Sequence, residues 1–303
     1  MLKSKRKLFS GLVSGVLILV FSTVALAEGG YMDLQMGPRP QAMGGAFVAV
    51  ADDVNSGYWN PAGICQLKEP VIGFMHTNPF NVGQVSLDYL AFVHPTAIPF
   101  IKGGVGLSYQ KISAELEEMG QCTNNWADSM YTLSVAGKLL DRLFYGVNFK
   151  SINIETSVGE RTSGEALDAG LLYKFNECYS LGLMMRNLSG RLSNESLSAE
   201  KRIGVAGKFM NKKLLVAVDA SYKKEVNGQK DAWQFHYGAE LQVTDNIFLR
   251  FGSDRNNFTG GIGIKFSMGG LMKGACLDYS YATDEELNYT HRFALALQLG
   301  GVK

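Results

Sequence analysis

The sequence has little proline, few cysteines and almost no net charge. Its 303 residues include 7 Pro and 4 Cys, and 29 Lys and Arg residues balance 28 Asp and Glu residues. The scarcity of proline excludes a Pro-rich disordered chain. The balanced charge excludes the basic footprint of a nucleic-acid-binding protein, so no nucleic-acid partner is expected. The cysteines form no CxxC motif, and their pairing is left open; they are Cys65, Cys122, Cys178 and Cys276.

Motifs for catalysis and cofactor binding are also missing. The four histidines lie far apart without metal-ligand spacing, and no serine lies in a Gly-x-Ser-x-Gly elbow. The glycines at 260–263 lie in an alternating segment with no helix after it, which argues against a nucleotide fingerprint. We therefore predict no enzymatic activity, no catalytic residues, no cofactor and no metal. A triad assembled from separate strands is the alternative left open.

A long apolar run occurs only at the N-terminus. Four cations within the first seven residues precede an apolar stretch over residues 8–24, which ends at Ala25-Leu26-Ala27. This is the pattern of a cleaved export signal, so residues 1–27 are predicted to be a signal peptide and Glu28 the mature N-terminus. A membrane anchor is the alternative. Beyond residue 27 no apolar run of about 18 residues occurs, which excludes membrane-spanning helices.

The whole chain is rich in glycine, with 35 residues, and from about residue 69 to residue 299 it alternates apolar with small or polar residues in segments of about ten. In the last segment, Phe293 and Leu295 fall on one face, and Arg292 and Ala294 fall on the other. We predict fourteen strands, at residues 69–78, 84–95, 99–112, 128–138, 143–155, 164–175, 178–188, 200–210, 213–223, 232–243, 247–255, 257–267, 272–282 and 289–299.

The strand pattern predicts an all-β fold, a 14-stranded antiparallel transmembrane β-barrel over residues 69–303. An even strand count, with short turns on one side and longer loops such as 113–127 and 189–199 on the other, is typical of outer-membrane barrels. We expect the outer membrane of a diderm bacterium, both termini periplasmic, and outer-membrane lipid and the barrel-assembly machinery as partners. A soluble β-sandwich is the rival, disfavoured because charges lie mainly in loops and aromatics cluster at segment ends.

Residues 28–68 do not alternate. Asp52 and Asp53 are predicted N-caps of a short helix that ends in a turn at residues 60–63. Residues 38–64 contain a Met-Gly-Gly-Ala turn, an Ala-Val-Ala-Asp-Asp stretch and Tyr-Trp-Asn-Pro-Ala-Gly, and this run resembles the N-terminal signature of FadL-like hydrophobic-compound transporters and PorV/PorQ-type outer-membrane proteins. The resemblance implies a small luminal hatch over residues 28–68. Its motif residues are Met43, Gly44, Gly45, Asp52, Asp53, Tyr58, Trp59, Asn60, Pro61, Ala62 and Gly63.

The strand faces predict a set of polar side chains in the barrel lumen. Their mixed signs favour pairing with one another or with the hatch over an ion-selecting ring. The glycines at 103–104 and 260–261 have two interpretations: bulges at which the wall opens, or relief of crowding in a small lumen. The predicted luminal residues are Lys150, Lys208, Asp219, Glu240, Arg250 and Arg292.

The resemblance implies passive uptake of a small hydrophobic ligand through the barrel. The alternative that it implies is a non-transporting PorV-type barrel, which serves a protein secretion system as a partner or shuttle of exported protein cargo. A chain of 303 residues leaves little loop length for a surface capture groove. Sequence alone therefore leaves the substrate undetermined.

Overall fold

The computed structural model of this chain describes residues 34–81, 85–95, 102–118, 121–155, 161–193, 195–223, 232–284 and 288–300. Side chains are described over the same ranges except for residues 115–125, 195 and 232. The predicted signal peptide, residues 1–27, and the first residues of the predicted hatch, 28–33, lie outside the described part. No helix among the described residues is long and apolar enough to cross a membrane.

Fourteen long strands form a closed antiparallel barrel, in which neighbours in sequence pair with each other and β15 pairs with β1. A further strand, β8, has two residues and pairs only with the end of β7, so that β7 continues the ring to β9. This confirms the predicted fold class. The strands are β1 (Val71–Asn78), β2 (Val85–His94), β3 (Gly103–Glu118), β4 (Gln121–Leu140), β5 (Leu143–Glu155), β6 (Arg161–Lys174), β7 (Tyr179–Leu192), β8 (Glu195–Ser196), β9 (Glu200–Phe209), β10 (Leu214–Lys223), β11 (Ala232–Gln242), β12 (Ile247–Asp254), β13 (Asn257–Ser267), β14 (Met272–Ala282) and β15 (Thr290–Leu299).

The two faces of each strand differ as the alternation predicts. On β15, Phe293 is 60% exposed and Leu295 is 39% exposed, whereas Arg292, which precedes Phe293 and faces the other way, is 4% exposed. Successive side chains of a strand point to opposite faces, so apolar residues lie on the outside of the barrel and polar or small residues lie inside. The outer surface is therefore an apolar belt suited to lipid.

Two predicted loops are wrong, because strands continue through them. Residues 113–118 belong to β3, residues 121–127 belong to β4, and residues 189–192 belong to β7. Beyond Ala114, which is the last β3 residue paired with β2, and Ala127, at which pairing of β4 with β5 begins, these two strands pair only with each other. They form a two-stranded ribbon beyond the barrel rim. Polar side chains do not end a strand there because its ladder bonds are made by backbone groups.

Residues 34–67, which we call the luminal segment, lie inside the barrel. They contain helices α1 (Pro38–Ala42) and α2 (Ser56–Trp59) and a 3₁₀ helix (Pro61–Gln66). The predicted N-caps are wrong: Asn55 precedes α2, and Asp53 instead accepts a hydrogen bond of 2.8 Å from the Asn55 amide in the preceding turn. Asn60 ends α2, and its Oδ1 accepts a hydrogen bond of 3.1 Å from the Ala62 amide.

Candidate functional site in the barrel lumen

Inward-facing glycines allow the luminal segment to touch the barrel wall. A Cβ atom on Gly170 would lie 2.2 Å from Asn60 Oδ1, and one on Gly182 would lie 2.2 Å from the Val48 carbonyl oxygen. Both distances are shorter than any side chain permits, so these positions require glycine. The same close approach to the luminal segment occurs at Gly73, Gly104, Gly146, Gly238, Gly252 and Gly261.

These contacts decide between the two interpretations of the glycine pairs. The backbone ladders run without a register shift through residues 103–104 and through residues 260–261. At Gly104 and Gly261, an added Cβ would lie 2.7 Å from Ile64 Cγ2 and Ala42 Cβ respectively. Relief of crowding is therefore the correct interpretation, and the proposed bulges at these glycines are wrong.

The family-motif residues form the interior of the luminal segment. Met43 and Trp59 are fully buried, and the Trp59 indole donates a hydrogen bond of 2.8 Å to the Met36 carbonyl oxygen. Gly44 and Gly45 have φ values of 63° and 75°, a left-handed conformation that favours glycine. Pro61, Ala62 and Gly63 start the 3₁₀ helix, in which all three are buried.

Arginines from the wall lie over the aromatic part of the motif. The Arg186 guanidinium lies 4.3 Å from the Tyr58 ring centre, and that of Arg202 lies 5.3 Å from the Trp59 ring centre. Away from water such cation–π contacts stabilise by about 2 kcal/mol. They attach α2 to strands β7 and β9.

An ion-pair network joins the luminal segment to β11, β12 and β14. Arg39 Nη1 lies 2.6 Å from Asp52 and 3.1 Å from Asp53, and Arg39 Nε donates to Glu240 at 2.7 Å. Arg250 in turn donates to Glu240 at 2.7 Å, and at 2.6 Å to Asp278. Arg39 was not among the predicted site residues. The sequence does mark it, because Arg39 is the one Lys or Arg among residues 34–67.

The network shifts the protonation equilibria of the luminal segment. Burial lowers the pKa of Arg39, but the carboxylates of Asp52 and Glu240 outweigh burial and hold this pKa well above its usual value. Burial raises the pKa of Asp53, and the nearby Arg39 guanidinium offsets only part of that rise. Arg39 is thus fixed as a cation at the centre of the network.

The remaining predicted luminal residues also point inward. Lys150 Nζ lies 2.7 Å from Asp168, and Asp219 accepts hydrogen bonds from the Phe47 and Val48 amides. Lys208 is more distant, 4.0 Å from Asp52. Arg292 differs from the others, because the described residues offer no hydrogen-bond partner to its Nε and Nη1 atoms.

The lumen is apolar on one side and charged on the other. Five inward residues of β2 in succession are apolar or aromatic, and four of them are 3% exposed or less; the five are Val85, Leu87, Tyr89, Ala91 and Val93. The inner faces of β9 to β12 instead carry charged residues, Glu200, Arg202, Asp219, Glu240, Arg250 and Asp254. The luminal segment therefore binds the charged side by ion pairs and covers the apolar side by packing.

A cavity of about 570 Å³ lies between the luminal segment and β1, β14 and β15. It exists because the inward residues of this wall are small, such as Gly73, Ala294 and Ala296. Met75 and Tyr89 join it to the apolar side of the lumen, and Arg39 and Asp278 border it on the charged side. Val71 and Gln298 also line it, so it lies near the barrel end at which β1 begins and β15 ends.

Sequence comparison matches one family model over part of the chain and finds no curated relative. Residues 27–168 match the model of UPF0164, an uncharacterised protein family. No curated protein sequence matches the chain significantly.

Solved structures of transport barrels resemble the fold. The Pseudomonas putida toluene transporter TodX aligns with a TM-score of 0.60 at 11% identity, over 88% of this chain and 99% of that one. The CymD monoaromatic hydrocarbon channel gives 0.60 at 11% identity, over 88% and 98%. The Ralstonia pickettii toluene transporter TbuX gives 0.57 at 14% identity, over 88% and 98%. The predicted resemblance to FadL-like barrels is thereby confirmed, in fold.

Proposed function

We propose that this chain is an outer-membrane channel for the passive entry of small hydrophobic compounds. The observation that carries this proposal is the apolar side of the lumen, which the luminal segment covers by packing and which borders the cavity beside Ala294 and Ala296 at Met75 and Tyr89. An apolar compound gains free energy by leaving water for such a surface, at about 25 cal/mol per Å² buried. The likeness in fold to toluene and monoaromatic hydrocarbon channels supports the same function.

In this proposal the signal peptide is cleaved, and the barrel-assembly machinery inserts the barrel with both termini in the periplasm. The cavity, near the chain-terminal end of the barrel, then opens toward the periplasm. Residues 28–68 act as a hatch. The ion pairs of Arg39 with Asp52, Asp53 and Glu240 hold the hatch to the charged side, so movement on the apolar side need not break them.

Filling the cavity tests the channel. Ala294→Phe places a ring in the cavity, whereas Leu297→Phe adds a ring on the outer face of the same strand, at a residue that does not line the cavity. We expect uptake of radiolabelled toluene by proteoliposomes to fall at least tenfold in A294F and to remain at the wild-type rate in L297F. Heat-modifiable gel mobility checks that both barrels are folded. Equal uptake by wild type and A294F, at equal folding, would show that this cavity is not on the path.

A second candidate is a partner barrel for exported protein cargo, and the ribbon formed by the ends of β3 and β4 favours it. Among the described residues each ribbon strand has one edge without a paired neighbour, and an open strand edge binds an extended peptide by backbone hydrogen bonds. Replacing residues 115–124 by a short turn separates the two functions. A channel retains toluene uptake after this change, whereas a partner barrel loses the cargo that co-purifies with it.

A further inference from the structure

Three neighbouring strands bring a serine, a histidine and an aspartate together in the lumen. Ser221 of β10, His236 of β11 and Asp254 of β12 all point inward. Ser221 Oγ lies 3.0 Å from His236 Nε2, and His236 Nδ1 lies 2.9 Å from Asp254 Oδ1. No sequence motif marks the group, since its members are 15 and 18 residues apart in the chain.

The surroundings fix the tautomer of His236. Its Nδ1 faces two acceptors, the Asp254 carboxylate and the Gly44 carbonyl oxygen, which lies 3.2 Å away. Nδ1 must therefore carry the hydrogen in the neutral ring, which leaves the lone pair of Nε2 directed at Ser221. The described residues give Ser221 Oγ no other partner. This is the arrangement in which a histidine acts as the general base of a serine nucleophile.

Hydrogen-bond donors flank the serine on both sides. Arg202 of β9 and Gln234 of β11 lie directly opposite Ser221 in the strand registers, at Cβ separations of about 5 Å in such pairs. Both residues line, with His236 and Glu200 but without Ser221, a cavity of about 10 Å³, which has room for about one water molecule. Three more cations border that cavity: Arg186, Lys223 and Arg255.

We propose that Ser221, His236 and Asp254 form a hydrolytic site for carboxylic esters, an activity beyond the transport proposed above. Ser221 Oγ attacks the ester carbonyl carbon, and its proton passes to His236 Nε2. As the bond to the alcohol oxygen breaks, His236 returns the proton to the leaving alkoxide. Water then attacks the acyl-serine through His236 and releases the acid, which restores Ser221. The Gly44 carbonyl oxygen accepts the Nδ1 hydrogen bond and positions the histidine ring, and Asp254, whose Oδ1 lies 2.9 Å from Nδ1, adds its negative charge beside the ring.

The lumen around the site determines which esters fit. Gln234 supplies a donor for the oxygen that becomes negative during the attack, and Arg202, whose Nε and Nη1 donate to Glu200 and to the Gly45 carbonyl oxygen, contributes its positive charge. Glu200 also lines the cavity and pairs with Arg186 and Arg202, but the lining cations outnumber it, which favours an ester that carries an anionic group. Gln35 borders the small cavity and donates a hydrogen bond of 2.7 Å from Nε2 to Asp254 Oδ2, so it covers the site from the luminal segment. Displacement of Gln35 admits the ester.

Covalent labelling of the purified full-length barrel tests the site. The probe is a small alkyl fluorophosphonate, which modifies serines activated by a general base. We expect labelling of the wild-type protein at Ser221, located by mass spectrometry of the digested barrel. Gln35→Ala should speed the labelling because it uncovers the site. His236→Gln should slow it at least a hundredfold, since a general base contributes this much.

Ser221→Ala should abolish the labelling, and its matched control is Ser86→Ala. Ser86 pairs with Ser113 on another side of the barrel and has no histidine partner in the structure. Hydrolysis of p-nitrophenyl acetate by the same proteins should follow the same order. The proposal is overturned if neither wild type nor Q35A is labelled, or if S221A is labelled as fast as wild type. Toluene uptake is unaffected by either outcome, so the transport proposal is judged separately.

Discussion

The Gly170→Ala substitution tests whether the glycines of the barrel wall are required for contact with the luminal segment. In Gly170→Ala the new methyl group would lie 2.2 Å from Asn60 Oδ1 and 3.1 Å from Pro61 Cδ. Asn60 is fully buried, so the side chain has no solvent to move into. Either the Asn60 side chain or the backbone of β6 must therefore move.

Rotation of Asn60 and movement of the β6 backbone would lower the stability by similar amounts. If Asn60 rotates, it loses its hydrogen bonds to the Val48 and Leu171 carbonyl oxygens, at 2.9 and 3.0 Å, and the one from the Ala62 amide. Three buried hydrogen bonds stabilise by about 1 kcal/mol each. If the backbone of β6 moves instead, overpacking costs about 1–3 kcal/mol. We therefore expect G170A to lower the free energy of unfolding by about 2–3 kcal/mol.

The measurement is urea unfolding of the refolded barrel in lipid vesicles, followed by tryptophan fluorescence. The matched control is Gly260→Ala, whose added Cβ would meet nothing closer than 3.5 Å and should change stability by less than about 1 kcal/mol. G170A should also give flickering conductance in planar bilayers, since Asn60 anchors the hatch to β6. Equal stability of G170A and G260A would refute the argument that these glycines exist to accommodate the luminal segment.

Four other outcomes are expected. Leu295→Arg, in the apolar belt, should lower the free energy of unfolding by about 2–4 kcal/mol in the same titration. Glu240→Ala leaves two buried arginines without their shared carboxylate and should cost about 3–5 kcal/mol, whereas Glu177→Ala, in an exposed turn, should leave stability unchanged. Burial raises the pKa of Asp53, so the stability that this carboxyl contributes is fully present below the unfolded-chain pKa of about 3.9 and is lost as pH rises through the raised folded-state pKa. When the urea titration is repeated over a series of pH values, Asp53→Asn should therefore show a smaller loss of stability with rising pH than the wild type. Deleting residues 30–65 should give steady conductance in planar bilayers, where the intact protein should conduct little.

Much of the architecture was predictable because strand alternation is a local property. The alternation with a period of two residues predicted which face of β15 each side chain occupies, and the barrel has the same alternation at Arg292, Phe293 and Leu295. The ribbon of β3 and β4 was not predictable in this way, because outside the membrane neither face needs to be apolar. Its polar residues were assigned to a loop, although backbone pairing continues through them.

The candidate site was only partly predictable. Glu240 and Arg250 were placed in the lumen from their strand faces, but their common partner Arg39 was not selected. The Arg39–Glu240 contact joins residues 201 positions apart, and no local pattern carries a contact of that separation. The grouping of Ser221, His236 and Asp254 depends likewise on strand register.

Sequence by itself determined that this chain alternates, that its apolar faces suit lipid, and that its N-terminal run resembles that of FadL-like barrels. Only the tertiary structure decided how the lumen is used. Closure of the barrel brings the inner faces of distant strands together around residues 34–67. Whether Gly104 opens the wall or accommodates Ile64 depends on what lies opposite it, and that is set by three-dimensional packing, which the order of residues along one strand does not reveal.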